Sequence, residues 1–233
     1  MRGMKILAFN GSPRKASGTT DVLLEAFIEG AKSAGAEVEK HHITDLNING
    51  CRGCFNCWWV TPGKCVQRDD MDKIIPAIAG ADVLVLGTPV YGRNVTSYTA
   101  KLLERTFVFA HPEMEQREGE TRHPGRVNRF PRMILVATCG FPDTSNFDIL
   151  RALNPNALPI LLPAAQLLLY EEGKKQLSGF LEAVRLAGEK IASGEEPSKK
   201  LKEQLIVEYS DEMKRAIVEM HNRYSESRRP DAD

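Results

Sequence analysis

Four of the five cysteines fall within fifteen residues, as Cys51-Arg-Gly-Cys54-Phe-Asn-Cys57, then seven residues, then Cys65. Core packing scatters cysteines, whereas a shared metal centre gathers them. Two consecutive C-x-x-C steps let three thiolates converge in one tight loop and a fourth fold back to close it. That is the compact spacing iron–sulfur clusters use. Structural zinc fits less well, because its ligands usually come as two separated pairs. A disulfide pair or reduced thiols are the plainer readings. The spacing marks these sulfurs out and leaves their occupant open.

Three other stretches have the composition of a ligand loop. Gly11-Ser12-Pro13-Arg14-Lys15-Ala16-Ser17-Gly18-Thr19-Thr20 supplies hydroxyls, two cations and the start of a helix, whose free N–H groups attract an anion such as a phosphate. It is neither a Walker loop nor a G-x-G-x-x-G fingerprint. The plainer reading is a polar turn whose threonines cap the helix. Thr88-Pro89-Val90-Tyr91-Gly92-Arg93-Asn94 offers an aromatic ring and bare backbone against which a flat heterocycle can lie. Thr138-Cys139-Gly140-Phe141 repeats the formula.

The elements that position these loops follow from the periodicity. Lys5 to Phe9, Glu37 to Ile43, Asp82 to Gly87, Met133 to Thr138 and Ala164 to Tyr170 are expected as strands. Helices are expected after Thr19 or Thr20 up to Gly35, over Met71 to Ala79 behind Asp70, and over Ser97 to Phe109, Phe147 to Leu153 and Lys174 to Ala192. Strands alternating with helices give an α/β fold, a doubly wound parallel sheet with ligands beyond the carboxyl ends of its strands. All three loops follow such ends. His111 to Arg132 is polar, arginine-rich and too long for a simple connection, so it is a candidate lid. Leu201, Leu205, Tyr209, Met213, Ala216, Met220 and Tyr224 recur at helical spacing and predict one long amphipathic helix over 197–226, with a disordered polar tail over 227–233. Its apolar stripe needs a partner, either the domain's own surface or a neighbouring subunit.

Lysine plus arginine and aspartate plus glutamate number 31 each, so the chain carries no bulk field for nucleic acid or an anionic membrane. Met1 to Asn10 is too short for a signal peptide, and the oily run Ala157 to Tyr170 is interrupted by Pro159 and Pro163, so no membrane span is expected. Clustered cysteines without an export signal point to the cytoplasm.

Taken together, the first strand with Gly-Ser-Pro-Arg-Lys, the cysteine loop running into Asp69-Asp70-Met71, and Thr88-Pro-Val-Tyr-Gly92 resemble the NAD(P)H-dependent FMN reductase family of the flavodoxin-like superfamily. The chain is most similar to its iron–sulfur flavoprotein branch, over about residues 4 to 193. The resemblance implies a five-stranded sheet of order 2-1-3-4-5 in a domain spanning 1–193, with the cysteine loop at 51–65 and the insertion at 111–132. It implies FMN at the carboxyl edge, and a homodimer or homotetramer. Ser12, Arg14, Ser17, Gly18, Thr19 and Thr20 would hold the FMN phosphate. Pro89, Val90, Tyr91, Gly92 and Asn94 would flank the isoalloxazine, with Thr138, Cys139 and Gly140 on its other side. Cys51, Cys54, Cys57 and Cys65 would bind a [4Fe–4S] cluster. The last spacing, with Trp58-Trp59 and Pro62-Gly63, is near the long end for that branch.

The function implied is an oxidoreductase that takes electrons from NAD(P)H or a ferredoxin-like donor and reduces a small acceptor. The flavin supplies the redox chemistry, and no catalytic residue is required of the protein. The rivals are a non-catalytic flavodoxin-type carrier, disfavoured by the neutral charge and the insertion, and a thiol or metal redox sensor. Among smaller signals, Cys139 is expected as a small packing residue, and His41 and His42 as solvent-facing. Arg122, His123 and Arg126 are candidates for a nicotinamide cofactor's phosphates.

Overall fold

A computed structural model describes residues 3–229. In chain order the elements are β1 (Lys5–Asn10), α1 (Thr19–Ser33), β2 (Glu37–His42), α2 (Asn56–Trp59), α3 (Met71–Gly80), β3 (Val83–Pro89), α4 (Ser97–Arg105), β4 (Glu115–Arg117), β5 (Glu120–Arg122), β6 (Arg132–Thr138), α5 (Asp148–Leu153), β7 (Leu158–Leu162), α6 (Glu171–Gln176), α7 (Ser178–Ala192), α8 (Lys199–Gln204) and α9 (Asp211–Glu226). Five strands form a parallel sheet in the order β2-β1-β3-β6-β7, the doubly wound arrangement expected. The continuous apolar runs of β1, β3 and β6 are buried on both faces, as central parallel strands must be. Ile6, Ala8, Val83, Val85, Ile134 and Val136 share a core with Phe27 of α1 and Val184 of α7. Their neighbours Leu7, Phe9, Leu84 and Leu86 pack on Ile74 and Ile78 of α3 and Leu102 of α4.

Helices α1 and α7 cross with their backbones in near contact, which two glycines make possible. A Cβ on Gly30 would lie 1.8 Å from the Arg185 carbonyl oxygen, and one on Gly188 would lie 2.0 Å from that of Phe27.

Two expectations are corrected. The fifth strand is Leu158–Leu162, and Ala165–Leu169 is a 3-10 turn entered through Ala164 in the left-handed region (φ 48°). Both pieces are buried and apolar, so periodicity could not separate strand from turn. Pro159 is tolerated because β7 is an edge strand. Leu161, two residues on, points its backbone outward: its N–H donates to Leu205 O (2.8 Å) and its carbonyl accepts from Val207 N–H (3.1 Å). Pro159 shares that orientation, so its missing N–H takes nothing from the ladder to β6.

That same clip explains the second correction. The 197–226 segment is two helices rather than one, because Leu205 to Val207 leaves the helical path to cover the β7 edge, forming a parallel bridge between Leu161 and Ile206. Ser210 then starts α9 afresh by accepting the Met213 N–H at 3.2 Å. The break shifts the helical phase. Ile217 is the buried residue of α9, and Met213 is exposed. The expected helix over Lys174 to Ala192 is likewise interrupted at Leu177, and the one over Ser97 to Phe109 ends in a 3-10 turn from Thr106. Of the polar tail, Ser227 to Arg229 forms a turn after α9, and positions 230–233 lie outside the described residues. Among the described residues, no helix is long and apolar enough to cross a membrane.

Candidate functional site

Beyond the carboxyl ends of β1, β3 and β6 lies a cavity of about 610 Å³, within the range of small-molecule sites. Its floor begins with the loop after β1. Asn10 is fully buried and pins that loop twice: its Oδ1 accepts Ser12 N–H (2.8 Å) and its Nδ2 donates to Asp21 Oδ1 (2.7 Å). Asp21 in turn pairs with Lys40 from β2. Gly11 has no room for a side chain, since a Cβ there would sit 1.9 Å from Thr99 Oγ1. Its carbonyl accepts the Thr96 hydroxyl at 2.8 Å.

Ser12, Arg14, Gly18, Thr19 and Thr20 all line the cavity. Gly18 is the N-cap of α1 and no side chain caps it, so Thr19 and Thr20 open the helix instead of capping it. Asp21 N–H donates to Gly18 O (3.0 Å), which leaves the N–H groups of Thr19 and Thr20 at the helix start to favour an anion. Thr20 also joins α1 to β6 by a buried hydroxyl–hydroxyl bond to Thr138 (2.8 Å). Two loop residues turn elsewhere. Ser17 donates its hydroxyl to Arg14 O (2.7 Å) and is not at the cavity wall, while Lys15, with φ 50°, pairs with Asp45.

The second and third loops reach the same cavity through Pro89, Val90 and Tyr91 and through Thr138, Cys139 and Gly140. Gly92 and Asn94 stand back from the wall. They close a tight turn with Gly92 and Arg93 at φ 56° and 64°, in which Tyr91 and Asn94 exchange backbone hydrogen bonds of 2.9 and 3.0 Å. That turn presents Tyr91, which is about half exposed. The Cys139 thiol donates to Phe141 O (3.2 Å), and burial pushes its pKa up to about 11, so it stays protonated and serves as a packing group.

Phe141 of the third loop lines the cavity as well, and several lining residues had not been anticipated: Pro142, Ala165, Gln166, Leu169 and Tyr170, and from α9 Ile217, Val218, Met220, His221, Asn222 and Tyr224. Gln166 donates Nε2 to Gly140 O (3.0 Å) and leaves a buried Oε1 unpartnered among the described residues. The only sequence signal for α9 was the stripe that included Met220 and Tyr224. For Gln166 and Tyr170 the misplaced fifth strand hid the signal.

Cys51, Cys54, Cys57 and Cys65 line a second, smaller cavity of about 280 Å³, beside Phe55, Glu104 and Phe107. Left-handed backbone at Gly53 (φ 61°) and Phe55 (φ 55°) folds the loop back on itself. Burial, and then the charges of Cys65, Cys51 and Cys54, push the Cys57 thiol up. Beneath the loop, Arg105 donates to Asp69 through two nitrogens (2.6 and 3.1 Å) and to Asn49 O (2.9 Å). Both side chains are sealed from solvent, and the guanidinium lies beside Cys65. Burial alone would raise the Asp69 pKa; Arg105 and the N–H groups of Asn49 and Met71 outweigh it and hold the carboxylate below its ordinary range. Among the described residues, no group of three or more His, Cys, Asp or Glu side chains is disposed to hold a metal ion.

The 111–132 insertion is a β4–β5 hairpin folded toward the cysteine loop. His123 packs on Trp58 (ring centroids 4.8 Å apart), and Trp58 stacks on Phe107 at 4.6 Å. None of its residues lines the larger cavity, and Arg122, His123 and Arg126 already bond to Glu115, Glu113 O and Ala110 O. The expected lid is therefore not over this cavity. His41 is half-buried, stacked on Phe9 and bonded to Glu39, where a solvent-facing position was expected; His42 is half-buried too.

Comparison with known proteins agrees with this geometry. Iron–sulfur flavoproteins of Archaeoglobus fulgidus are 39% identical over 108 residues (46% of this chain, 48% of the relative) and 42% identical over 103 residues (44% and 49%). One of Methanocaldococcus jannaschii is 35% identical over 103 residues (44% and 52%). The chain spans about half the length of the curated relatives it matches. In fold it is similar to an NAD(P)H:quinone oxidoreductase from Methanothermobacter marburgensis (TM-score 0.59, 13% identity, 82% of this chain and 98% of that one). It is also similar to an FMN-dependent NADH-azoreductase from Bacillus anthracis (TM-score 0.57, 16% identity, 81% and 99%). The sequence profile of NADPH-dependent FMN reductases matches residues 4–123, just over half of the chain. With its flavodoxin-like sheet and that match, the chain belongs to the NADPH-dependent FMN reductase family.

Proposed function

We propose that this protein is an FMN-dependent oxidoreductase that accepts electrons from NAD(P)H or a ferredoxin-like donor and passes them to a small acceptor. The observation that carries this reading is the convergence of three sheet-edge loops on one cavity, with the uncapped start of α1 and Arg14 at its phosphate-suited end. Ser12, Arg14, Gly18, Thr19 and Thr20 hold the phosphate, with Ser17 fixing the loop through Arg14 O. Pro89, Val90 and Tyr91 flank the ring on one side, held in place by the turn at Gly92 and Asn94, and Thr138, Cys139 and Gly140 flank it on the other. Bound FMN supplies the redox chemistry, taking two electrons as hydride and releasing them singly or in pairs. The protein orients the reactants, excludes water and offers backbone donors to developing negative charge. A protonated Cys139 adds no competing thiolate.

Cys51, Cys54, Cys57 and Cys65 hold a [4Fe–4S] cluster in this reading. Its support is their spacing, their shared cavity with Arg105 beneath it, and the iron–sulfur flavoproteins among the relatives. All five cysteines are unpaired, which suits a reducing cytoplasm. A homodimer or homotetramer fits the exposed Phe55, Trp59, Val60 and Met114 around that loop. Anaerobic purification with iron and sulfide analysis tests the cluster, and near-stoichiometric iron is expected. NAD(P)H oxidation that turns over with added acceptor separates the enzyme from a carrier, which would be reduced once and stop.

A further inference from the structure

One wall of the large cavity comes from α9, which lies outside the segment matched by the family profile. Ile217, Met220, His221 and Tyr224 recur at helical spacing, and Val218 and Asn222 stand beside them, so a broad arc of α9 is turned to the cavity. The helix is firmly fastened there. The Leu205 to Val207 clip holds its approach to the β7 edge, and the Tyr209 hydroxyl donates to Pro163 O (3.3 Å). Lys214 pairs with Asp143 (3.2 Å), just past the third flavin loop, and Ile217 is only 4% exposed, within the main core.

The lining residues differ in what they are free to do. Ile217 is committed to the core. Val218 and Tyr224 are about half exposed, the Arg228 guanidinium lies 5.3 Å from the centre of the Tyr224 ring, and neither the His221 ring nor the Tyr224 hydroxyl has a hydrogen-bond partner among the described residues. Phe141, Leu169 and Tyr170 add exposed apolar surface to the same cavity.

We propose that α9 is the chain's own wall on the acceptor side of the cavity, and that Val218, His221 and Tyr224 determine which acceptors reach the flavin. The acceptor class that suits them is a flat, largely apolar molecule bearing one or two hydrogen-bonding oxygens: the apolar surfaces sandwich its plane, and His221 and Tyr224 meet the oxygens. This rests on FMN occupying the cavity.

The test compares the wild type with Val218→Trp, which narrows the wall, and His221→Ala/Tyr224→Ala, which opens it. Each is checked for FMN content and native circular dichroism. Bound-flavin fluorescence is titrated with iodide, and KM is measured for 1,4-naphthoquinone and for ferricyanide. With FMN retained, the opened variant should show quenching by iodide raised about twofold or more, and Val218→Trp should raise KM for the quinone by about tenfold, the scale of a single pocket contact, and by a different factor for ferricyanide. Flavin-loaded variants with unchanged quenching and unchanged KM overturn the assignment of the wall. If Val218→Trp fails to fold, Val218→Ala serves in its place: it removes an apolar contact with the acceptor, so a raised quinone KM is expected and an unchanged or lowered one counts against the wall. A wild type that takes up no FMN overturns the reading of the cavity itself, and the wall with it.

Discussion

At the residue scale, the site depends on a few buried polar groups whose partners lie far away in sequence. The cysteine spacing and the three loop compositions were legible because their chemistry is local. Asn10, Asp21 and Arg105 were not, since an arginine in the last turn of a helix looks like a surface residue until Asp69, 36 positions away, is seen against it. Asp69→Asn should destabilise the fold by about 3–5 kcal/mol, because Arg105 is left as a buried charge without its counter-ion; denaturant melts measure it. The same pair gives a pH dependence. The Asp69 pKa is depressed on folding, so its contribution is complete above the ordinary aspartate pKa of about 3.9 and is lost as pH falls through the lower folded value. Asp69→Asn should therefore flatten the acid limb of the stability profile. At the other site, replacing Arg14 and Thr19 together by alanine should weaken FMN binding at least about tenfold, given roughly 1.5–3 kcal/mol for a hydrogen bond to a charged group. Fluorescence titration reads this directly, and unchanged affinity would place the phosphate elsewhere.

At the scale of elements, the central strands were readable because a continuous apolar run between turn signals has few alternatives. The edge was harder. Ala157 to Tyr170 is one oily run, and only the tertiary structure decides that its first part pairs with β6 while Pro163 and Ala164 turn the rest away. The C-terminal stripe was visible, but not the clip at Leu205 to Val207 that divides it and resets its phase. The insertion and α9 therefore end in different places from a lid and a free stripe: the hairpin packs on the cysteine loop, and the helix lies on the domain's own surface as a wall of the cavity. The α1–α7 crossing makes its own prediction. Gly188→Ala places a Cβ against the Phe27 carbonyl and should cost at least about 1–3 kcal/mol by overpacking, read as a lowered denaturation midpoint. A midpoint equal to the wild type's would mean the helices are not in contact there.

At the scale of the whole molecule, a neutral flavodoxin-like scaffold carries two chemically distinct candidate sites, cavities that share no lining residue. One follows from the fold, because open parallel sheets gather their ligand loops at the carboxyl edge. The other is a loop whose four sulfurs were recognisable from spacing alone, and whose support from Arg105 and the Trp58–Phe107–His123 stack was not. The account as a whole depends on FMN filling the larger cavity, and titrating FMN into the purified protein while recording its absorption and fluorescence tests that most directly. The expected result is a saturating end point near one FMN per chain, with flavin bands retained through desalting. A folded protein that stays colourless and leaves added FMN free in solution would contradict the account.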